Sequence, residues 1–429
     1  MSSSIKEDHW SREKLSDFVQ DLITGGRPKG GGRAEGYYIS IGGTQINSEG
    51  YIEFKEVAYI PEDFFPKVED TQLRKHDILI VKDGSNTGDV ALVWQDHGNV
   101  VTNEHLFTLR VDEGLNSPYA HYFLQSHEGW KQLKGVITGS AQPGLNRGFV
   151  SKVDLPVPPL LEQRKIASIL ATVDTAIQKT EAIIKQAKQV KWGLMQDFFH
   201  GKHKQFDSYQ STPVGKIPDH WQATNIGSVV EMAQYGISES LAERGRYPIF
   251  RMNNIENGYM VDEPLKYIDL GDEEFEKYQV REGDILFNRT NSLELVGKTG
   301  IFELDGDYVF ASYLVRLRAN DRVEPRYLNY YMNSPEAQNR MMDFATKGVS
   351  QANINANSIQ QVKLPLPPRD EQQEIASRLR SVDQEIEKNK SYASRLKRLK
   401  RGLMQNLLTG GIHTTGKDIA VLDEVAAHG

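Results

Sequence analysis

A glycine-rich segment near the N-terminus carries the first group of side chains with binding chemistry. Residues 25–36 are half glycine and include the cations Arg27, Lys29 and Arg33. Because glycine has no side chain, a phosphate can approach this backbone closely while the cations neutralise its charge. The segment is not a P-loop, since no Gly-Lys-Ser/Thr follows. A phosphate-contacting loop and an ordinary flexible loop with solvated charges both stay open.

A second group lies in the string from Asn288 to Gly300. Arginine and lysine donate to guanine, and asparagine bonds adenine, in the major groove of DNA. Arg289, Asn291 and Lys298 are therefore candidate base contacts. The Gly-Lys-Thr in this string lacks the earlier glycine of a P-loop, because Ser292 occupies that position. The alternative is that these loop residues only hydrogen-bond their own backbone.

Two loops with the pattern Gln-x-x-Leu/Ile-Asn supply polar side chains at matching positions. Their candidates are Gln142, Asn146 and Arg147 in the first loop, and Gln351, Asn353 and Asn355 in the second. The amides could read base edges or hydrogen-bond each globule to the helix that follows. We favour the structural role for Asn146 and Asn355, because the repeat places them identically.

Signatures of catalysis and of metal binding are missing from the sequence. There is no cysteine, which excludes cysteine-ligated zinc, iron–sulfur clusters and cysteine nucleophiles. We find no Asn/Asp-Pro-Pro-Tyr/Phe methyltransferase motif, no His-Glu-x-x-His metal site and no nuclease-like carboxylate frame. The sequence therefore predicts a chain that recognises a ligand and has no catalytic or metal site.

Composition limits the class of protein. The 429 residues carry 51 Lys+Arg against 58 Asp+Glu, a net charge of −7, which excludes a uniformly basic DNA-coating protein. A nucleic-acid binder with its cations on one face stays possible. The polar N-terminus and the lack of a long apolar run predict a soluble, cytoplasmic protein.

An internal repeat sets the organisation of the chain. Residues 153–201 align without a gap on residues 362–410, and about 22 of roughly 49 positions are identical. Each copy begins with a Leu-Pro-x-Pro-Pro motif, has a glutamate in the first predicted helical turn, and ends with a glycine. Proline suits a helix start and glycine a helix end. Each copy therefore predicts one long helix.

The apolar residues of both helices recur every 3.5 residues, which is typical of a coiled-coil seam. The seam residues are Ile166, Leu170, Val173, Ile177, Ile184 and Leu194 in the first helix, and Ile375, Leu379, Val382, Ile386, Leu396 and Leu403 in the second. We expect the two seams to pair antiparallel. The alternative is that each helix packs separately on its own globule.

Cations cluster toward the end of each long helix. They are Lys185, Lys188 and Lys191 in the first helix, and Arg395, Lys397, Arg398, Lys400 and Arg401 in the second. Cations are generally favourable near a helix C-terminus. We interpret the clusters as solvated faces, with contact to DNA as the alternative.

The segments between the long helices repeat more weakly and mix short strands with helices, so the expected fold class is α+β. The expected architecture is two α/β domains separated by two long helices that form an antiparallel coiled coil, as a pseudo-two-fold repeat. The predicted segments are globules at 1–152 and 220–361, helices at 153–201 and 362–410, a linker at 202–219 and a tail at 411–429.

This order, with its two Leu-Pro-x-Pro-Pro-x-x-Glu-Gln starts and two Gly-Leu-Met-Gln ends, resembles the specificity subunits of type I restriction–modification enzymes. The resemblance implies that each globule is a target recognition domain for one half of a split, asymmetric DNA sequence. It also implies that the helices act as a spacer and as a docking surface for two adenine methyltransferase subunits, and that restriction subunits complete the complex.

The same resemblance implies no cofactor in this chain, with S-adenosylmethionine, ATP and Mg²⁺ in the partner subunits. The chain departs from a strict repeat at residues 82–88, where Lys82 and Asn86 are candidate DNA contacts in a loop only loosely like the one after Asn288. Two different half-sites would explain that difference. The rival hypotheses are a scaffold that uses the coiled coil only to oligomerise, and an enzyme with its own nuclease or transferase activity.

Overall fold

The computed structural model of the chain describes residues 10–139, 143–347 and 351–414. The chain forms two compact units. The first unit comprises residues 1–181 and 390–429, and the second comprises residues 182–389. Each unit therefore takes in one globule together with part of each long helix.

The globule of the first unit is built from nine strands and two helices, and the first long helix follows it. The strands are β1 Ser11–Lys14, β2 Val19–Thr24, β3 Tyr38–Ile41, β4 Ala58–Ile60, β5 Ile78–Val81, β6 Val90–Leu92, β7 Val100–Thr102, β8 Leu106–Val111 and β9 Asp154–Val157. The helices are α1 Ser117–Gln125, α2 His127–Val136 and the long α3 Leu160–Phe199.

The remaining elements belong to the second globule and the second long helix. The strands are β10 Tyr209–Thr212, β11 Gly215–Pro218, β12 Gln222–Asn225, β13 Val230–Tyr235, β14 Tyr247–Phe250, β15 Ile255–Glu256, β16 Tyr259–Met260, β17 Lys266–Ile268, β18 Ile285–Asn288, β19 Thr290–Asn291, β20 Thr299–Ile301, β21 Val309–Phe310, β22 Leu314–Ala319, β23 Thr346–Lys347, β24 Ala352–Asn353 and β25 Lys363–Leu366. The helices are α4 Asp272–Tyr278, α5 Pro325–Met332, α6 Pro335–Met342, α7 Ala356–Gln361 and the long α8 Arg369–Leu407.

Each globule is organised around a sheet with a fully buried middle strand, and this strand pairs antiparallel with both of its neighbours. In the first unit the strand order is β2-β8-β5-β6, and in the second it is β13-β22-β18-β20-β16-β15, in which β16 and β20 pair parallel. Strand β5 and the first three residues of β18 are apolar, which suits a strand covered on both faces. The mixture of sheets and helices confirms the predicted α+β class.

A buried ion pair joins neighbouring strands at the same place in each sheet. Asp77, just before β5, accepts from the Nε of Arg110 on β8 at 2.8 Å. Asp284, just before β18, accepts from the Nε of Arg318 on β22 at 2.7 Å. Both carboxylates are buried. Because a buried carboxylate is costly unless it is paired, these contacts hold the two middle strands in register.

The long helices run antiparallel within each unit. In the first unit, Asp174 of α3 pairs with Lys400 of α8 at 2.6 Å, and Glu181 pairs with Lys397 at 2.7 Å. Residue numbers therefore increase along α3 in the direction in which they decrease along α8. In the second unit, Lys191 of α3 pairs with Asp383 of α8 at 2.6 Å. At 40 and 39 residues, each helix is about 60 Å long.

Burial along the predicted seam is uneven. Six seam residues are fully buried, namely Ile166, Leu170, Ile177, Ile375, Leu379 and Ile386. The other six are only half-buried, namely Val173, Ile184, Leu194, Val382, Leu396 and Leu403. Asp174 and Asp383, each one residue beyond a predicted seam valine, are buried instead. Lys191 and Lys400 are not on a solvated face, as we had interpreted them, because they bond these carboxylates and are only 15% and 14% exposed.

Two further expectations differ from the structure. Residues 202–219, predicted as a polar linker, contain the hairpin β10–β11, which buries Val214 and Ile217 in the core of the second unit. The helical stretches 119–133 and 327–344 are each split into two helices. At each break a serine, Ser126 or Ser334, caps the next helix by accepting from a backbone N–H at 3.2 Å.

No helix in the described parts of the chain is long and apolar enough to cross a membrane.

We predict that combining Ile177→Asp with Ile386→Asp will separate the long helices. The side chains are 3% and 5% exposed, so each aspartate would be a buried charge without a partner, and the loss should reach about 4 kcal/mol. Chemical unfolding followed by circular dichroism measures the change. Ile183→Asp is the matched control, since Ile183 is 48% exposed on the same helix and should shift stability by less than about 0.5 kcal/mol. An unchanged unfolding midpoint in the double variant would contradict the pairing.

Candidate nucleic-acid interface

The end of the middle strand meets the segment that precedes the long helix in both units. In the first unit, the backbone N–H of Leu145 donates to the carbonyl of Lys82 at 2.7 Å. In the second, the N–H of Ile354 donates to the carbonyl of Arg289 at 2.9 Å. The fold thus brings a cation at the strand end next to the polar loop before α3 or α8. These are the two regions from which most of the candidates come.

Arg289 is held in place by several contacts in the second unit. Its Nη2 donates to Oδ1 of Asn353 at 3.3 Å, and its Nη1 donates to the carbonyl of Ser312 at 3.3 Å. The guanidinium lies 4.9 Å from the ring centroid of Tyr235, which is 42% exposed. A guanidinium fixed by an aromatic ring and two acceptors loses little freedom when it binds a further acceptor. Sequence analysis missed Tyr235, because it lies far from Arg289 in the chain.

Three of the second-unit candidates converge on the small sheet formed by β19 and β24. Asn291 on β19 pairs with Ala352 on β24, and Asn353 pairs with Thr290. The Nδ2 of Asn353 also donates to Thr290 Oγ1 at 2.8 Å. Gln351, just before β24, is exposed. Arg289, Asn291 and Asn353 thus form one patch, which we call the Arg289 patch, bordered by the exposed Tyr235.

Lys298 does not take part in the Arg289 patch. It is exposed and lines a groove in the second unit together with Lys188, Trp192 and Glu294. Its backbone carbonyl accepts from the N–H of Asn288 at 2.8 Å. Lys298, just before β20, is therefore held by this backbone hydrogen bond to Asn288 and not by a contact with Arg289.

The corresponding region of the first unit combines cations with acids. Arg27 pairs with Glu104 at 3.0 Å and bonds His105 Nε2 at 3.0 Å. Lys82 donates to the carbonyl of Glu104 at 3.1 Å. Asp83 bonds Nδ1 of His105. Arg27 and Lys82 are therefore brought together, but beside carboxylates that sequence analysis did not single out.

The acids change what this part of the first unit can bind. A carboxylate accepts a hydrogen bond from cytosine N4, whereas arginine and lysine donate to guanine. Asp83 adjoins Lys82 in the sequence, so its presence could have been noticed. The contribution of Glu104 and His105 could not, because β8 reaches this place only through the sheet order. The first unit therefore presents acceptors as well as donors.

The other first-unit candidates are spread around the same globule. Lys29 and Arg33 are exposed on the glycine-rich segment, where Gly30 and Gly31 have φ of +90° and +87°, a conformation that glycine adopts readily. The backbone of Arg33 pairs with Tyr59. Arg147 donates to the carbonyl of Leu22 at 2.7 Å, and Asn86 accepts from Ser85 at 2.8 Å. Gln142 lies outside the described residues.

Asn146 and Asn355 have the structural role that we favoured. Asn146 Oδ1 accepts from the N–H of Gly148 at 2.9 Å, and Asn355 Oδ1 accepts from the N–H of Ser358 at 2.8 Å. Each residue is the N-cap of a short helix that precedes the long helix of its unit. Both contacts are local to the segment before the long helix, and they differ from the expected hydrogen bonds between each globule and the helix that follows.

No group of three His, Asp or Glu side chains is arranged to hold a metal ion anywhere in residues 10–139, 143–347 or 351–414.

Comparison with known proteins gives consistent matches along the chain. A family model described as the type I restriction modification DNA specificity domain matches residues 7–189 and again residues 218–393. The putative type I restriction enzyme MjaX specificity subunit of Methanocaldococcus jannaschii is 30% identical over 419 residues, which cover 95% of this chain and 94% of that protein. The EcoKI specificity subunit of Escherichia coli is 23% identical, with 78% of this chain and 73% of that protein covered.

Solved structures agree with the fold. The S subunit of a type I restriction-modification system from M. genitalium superposes with a TM-score of 0.62 at 14% identity, covering 95% of this chain and 98% of that one. A chain from a study of complex assembly and conformational transition of the type I R-M system gives a TM-score of 0.53 at 19% identity, covering 94% and 99%. At these identities the likeness concerns the fold.

We predict that Arg289→Ala will reduce discrimination between cognate and scrambled DNA by about 1–3 kcal/mol, which is the contribution expected of an arginine that bonds a guanine. Lys29→Ala should instead weaken binding to all sequences and lower the slope of log K against log salt by about 1. Fluorescence anisotropy over a salt series measures both effects. Arg281→Ala, which removes an exposed cation outside the patch, is the control. An equal loss of affinity for both DNAs in Arg289→Ala would contradict base reading.

Proposed function

This chain belongs to the type I restriction–modification DNA specificity family, and from that membership we propose that it selects the DNA sequence on which the other subunits of a restriction–modification complex act. Proteins of this family are specificity subunits and have a non-catalytic role in DNA recognition. The finer proposal is that each unit reads one part of a split, asymmetric target. The proposed recognition domains are residues 1–152 and 220–361, and the proposed spacer helices are 153–201 and 362–410.

The observation that carries this proposal is that one backbone arrangement presents different side chains in the two units. In both units, the backbone carbonyl of a cationic residue at the end of the strand accepts a hydrogen bond from the loop before a long helix. Arg289 is flanked by an amide and an aromatic ring, whereas Lys82 lies beside the carbonyl of Glu104 and near the Asp83 carboxylate. Side chains that differ in donors and acceptors favour different bases. An asymmetric target with two parts follows from that difference.

Positioning and reading are divided among the candidates. The exposed cations Lys29, Arg33 and Lys298 suit phosphate contacts, which give affinity and orientation without sequence preference. Arg289, Asn291 and Asn353 are fixed by hydrogen bonds and suit base edges. Because fixed side chains give up little entropy on binding, discrimination of about 1–3 kcal/mol per bidentate contact is expected from them.

Docking of partner subunits is proposed on exposed apolar residues of the long helices. Ile183 and Val190 of α3 are 48% and 51% exposed, and Tyr392 and Leu399 of α8 are each 51% exposed. Both pairs are seven residues apart, which places their members on one face of the helix. Position 183 corresponds to 392 and position 190 to 399, since 183 + 209 = 392 and 190 + 209 = 399. Two equivalent surfaces suit two copies of one partner.

The partners would perform the chemistry. We propose that two adenine methyltransferase subunits occupy the surfaces Ile183–Val190 and Tyr392–Leu399, bring S-adenosylmethionine, and flip the target adenines out of the duplex. Restriction subunits would contribute ATP- and Mg²⁺-dependent cleavage. Such a complex acts on DNA in the cytoplasm.

We predict that Ile183→Asp with Val190→Asp will remove one methyltransferase copy, that Tyr392→Asp with Leu399→Asp will remove the other, and that all four changes together will remove both. A charge on an apolar docking face leaves the chain folded but must be desolvated in the complex. Native mass spectrometry of the assembled complex counts the copies.

Gln189→Asp, an exposed substitution on another face of α3, is the control and should retain both copies. DNA binding by the isolated chain should be unchanged in every variant. Two copies retained by the quadruple variant would contradict the docking surfaces, and loss of DNA binding in that variant would show that these residues serve recognition instead.

A further inference from the structure

A buried aspartate joins three elements of the first unit. Asp174 on α3 forms an ion pair with Lys400 on α8, and the Lys400 Nζ lies 2.6 Å from the Asp174 Oδ1. Its Oδ2 accepts from the hydroxyl of Tyr122, on α1 of the globule, at 2.8 Å. The ammonium of Lys400 also lies 5.4 Å from the ring centroid of Tyr122. The Asp174 and Lys400 side chains are only 6% and 14% exposed.

The second unit contains the same cluster with the helices exchanged. Asp383 on α8 bonds Lys191 on α3 at 2.6 Å. It accepts from Tyr330, on α5 of the globule, at 2.8 Å and from Tyr259 at 3.1 Å. Lys191 lies 5.0 Å from the ring centroid of Tyr330. The aspartate that α3 supplies in one unit is supplied by α8 in the other.

The spacing of the charges is the same on both helices. Asp174 and Lys191 are 17 residues apart on α3, and Asp383 and Lys400 are 17 residues apart on α8, since 191 − 174 = 17 and 400 − 383 = 17. In the observed antiparallel register, both aspartates meet lysines. A parallel alignment of the same helices would place Asp174 against Asp383. A slip by one heptad in one direction would place all four charges opposite Ala393, Ala376, Ile184 and Ala167, and in the other direction it would place Lys191 opposite Lys390.

Such an arrangement discriminates between alignments more than it stabilises the correct one. A buried ion pair gains little over well-packed apolar residues, because both charges must be desolvated. The same charges are very unfavourable wherever they lack a partner. Single polar residues at the seam of a coiled coil fix its register in this way.

We propose that the pairs Asp174–Lys400 and Asp383–Lys191 select the antiparallel orientation and the register in which α3 and α8 pair. The four residues are positioning residues and touch no ligand in this account. The inference concerns the pairing of the helices and does not rest on the proposed function.

The tyrosines extend the effect to the globules. Burial, and then the charge of Asp174, hold the pKa of the Tyr122 hydroxyl well above its ordinary value. Burial, followed by Tyr259 and Asp383, raises the pKa of Tyr330 in the same direction. Both hydroxyls therefore stay protonated and donate to the aspartates. In each unit, the same aspartate therefore contacts both the opposite long helix and the globule, so it fixes the register of the helices and the position of the globule on them.

Cross-linking of introduced cysteines by a short bismaleimide tests the proposal, because the chain contains no cysteine of its own. In the native register Glu181 pairs with Lys397 at 2.7 Å, so the two positions face each other within reach of that reagent, and the pair Glu181→Cys and Lys397→Cys should cross-link rapidly. The pair Glu181→Cys and Lys390→Cys reports a slip of one heptad and should cross-link at least about tenfold more slowly in the otherwise unchanged chain.

Three charge variants are then compared in the full chain with both cysteine pairs. Asp174→Lys places a second ammonium group opposite Lys400 and should reduce native cross-linking at least tenfold. Adding Lys400→Asp restores an opposite pair and should return the rate to within about twofold of the unchanged charges. Replacing Asp174, Lys191, Asp383 and Lys400 together by leucine should keep the chain folded but divide cross-linking between the native and slipped pairs.

The swapped pair separates a register role from simple packing, because it restores complementarity without restoring the original residues. Failure of the swapped pair to recover native cross-linking in a folded chain would overturn the proposal. The same would follow if the four-leucine variant cross-linked only in the native register, since apolar packing alone would then select it.

Discussion

A buried carboxylate that must be paired with both a lysine and a tyrosine hydroxyl holds each unit together. Asp174 and Asp383 each receive a lysine from the opposite long helix and a hydroxyl from the globule. Removing any donor would leave a charge in a site with little water, which is far less favourable than the pair itself. The consequence is that helix pairing and globule seating depend on the same atoms.

A second set of buried polar side chains positions the start of each long helix. Gln163 donates to the carbonyl of Pro158 at 2.9 Å and accepts from the N–H of Asn116 at 2.8 Å. Gln372 donates to Pro367 at 2.8 Å and accepts from Glu324 at 2.7 Å. These contacts are alike in both units, while the side chains of the candidate interface differ. The two units therefore share the contacts that position the long helix and differ in the side chains of the candidate interface.

The repeat in the sequence was sufficient to predict the long helices, their antiparallel pairing and the α+β class. Proline and glycine mark the ends of a helix, and a 3.5-residue apolar period marks the face that packs against another helix. These features depend on local sequence, so they could be predicted. The buried charges escaped prediction, because Asp174 and Asp383 lie one residue beyond the predicted seam. Lys191 and Lys400 stand at seam positions, but as lysines near the helix ends they were interpreted as solvated. The hairpin in residues 202–219 escaped for a related reason, since its two buried residues are too few to outweigh a polar composition.

The candidate interface was predictable in part. Arg289, Asn291 and Asn353 were singled out by residue type, and the sheet brings them together. Tyr235, Glu104 and His105 were not, because they reach the interface through strand pairing over long sequence distances. Arg147 and Asn86 have the expected residue types, but their side chains hydrogen-bond a backbone carbonyl and a serine hydroxyl of their own globule.

Mapping methylated adenines in the DNA of cells that express this chain with the proposed methyltransferase partner tests the account most directly. Two different reading surfaces predict a single asymmetric motif, with two short specified parts separated by a fixed number of unread base pairs. Arg289→Ala should relax one part of that motif and leave the other part and the spacing unchanged. A continuous or palindromic motif, or relaxation of both parts by the one substitution, would contradict the assignment of one part of the target to each unit.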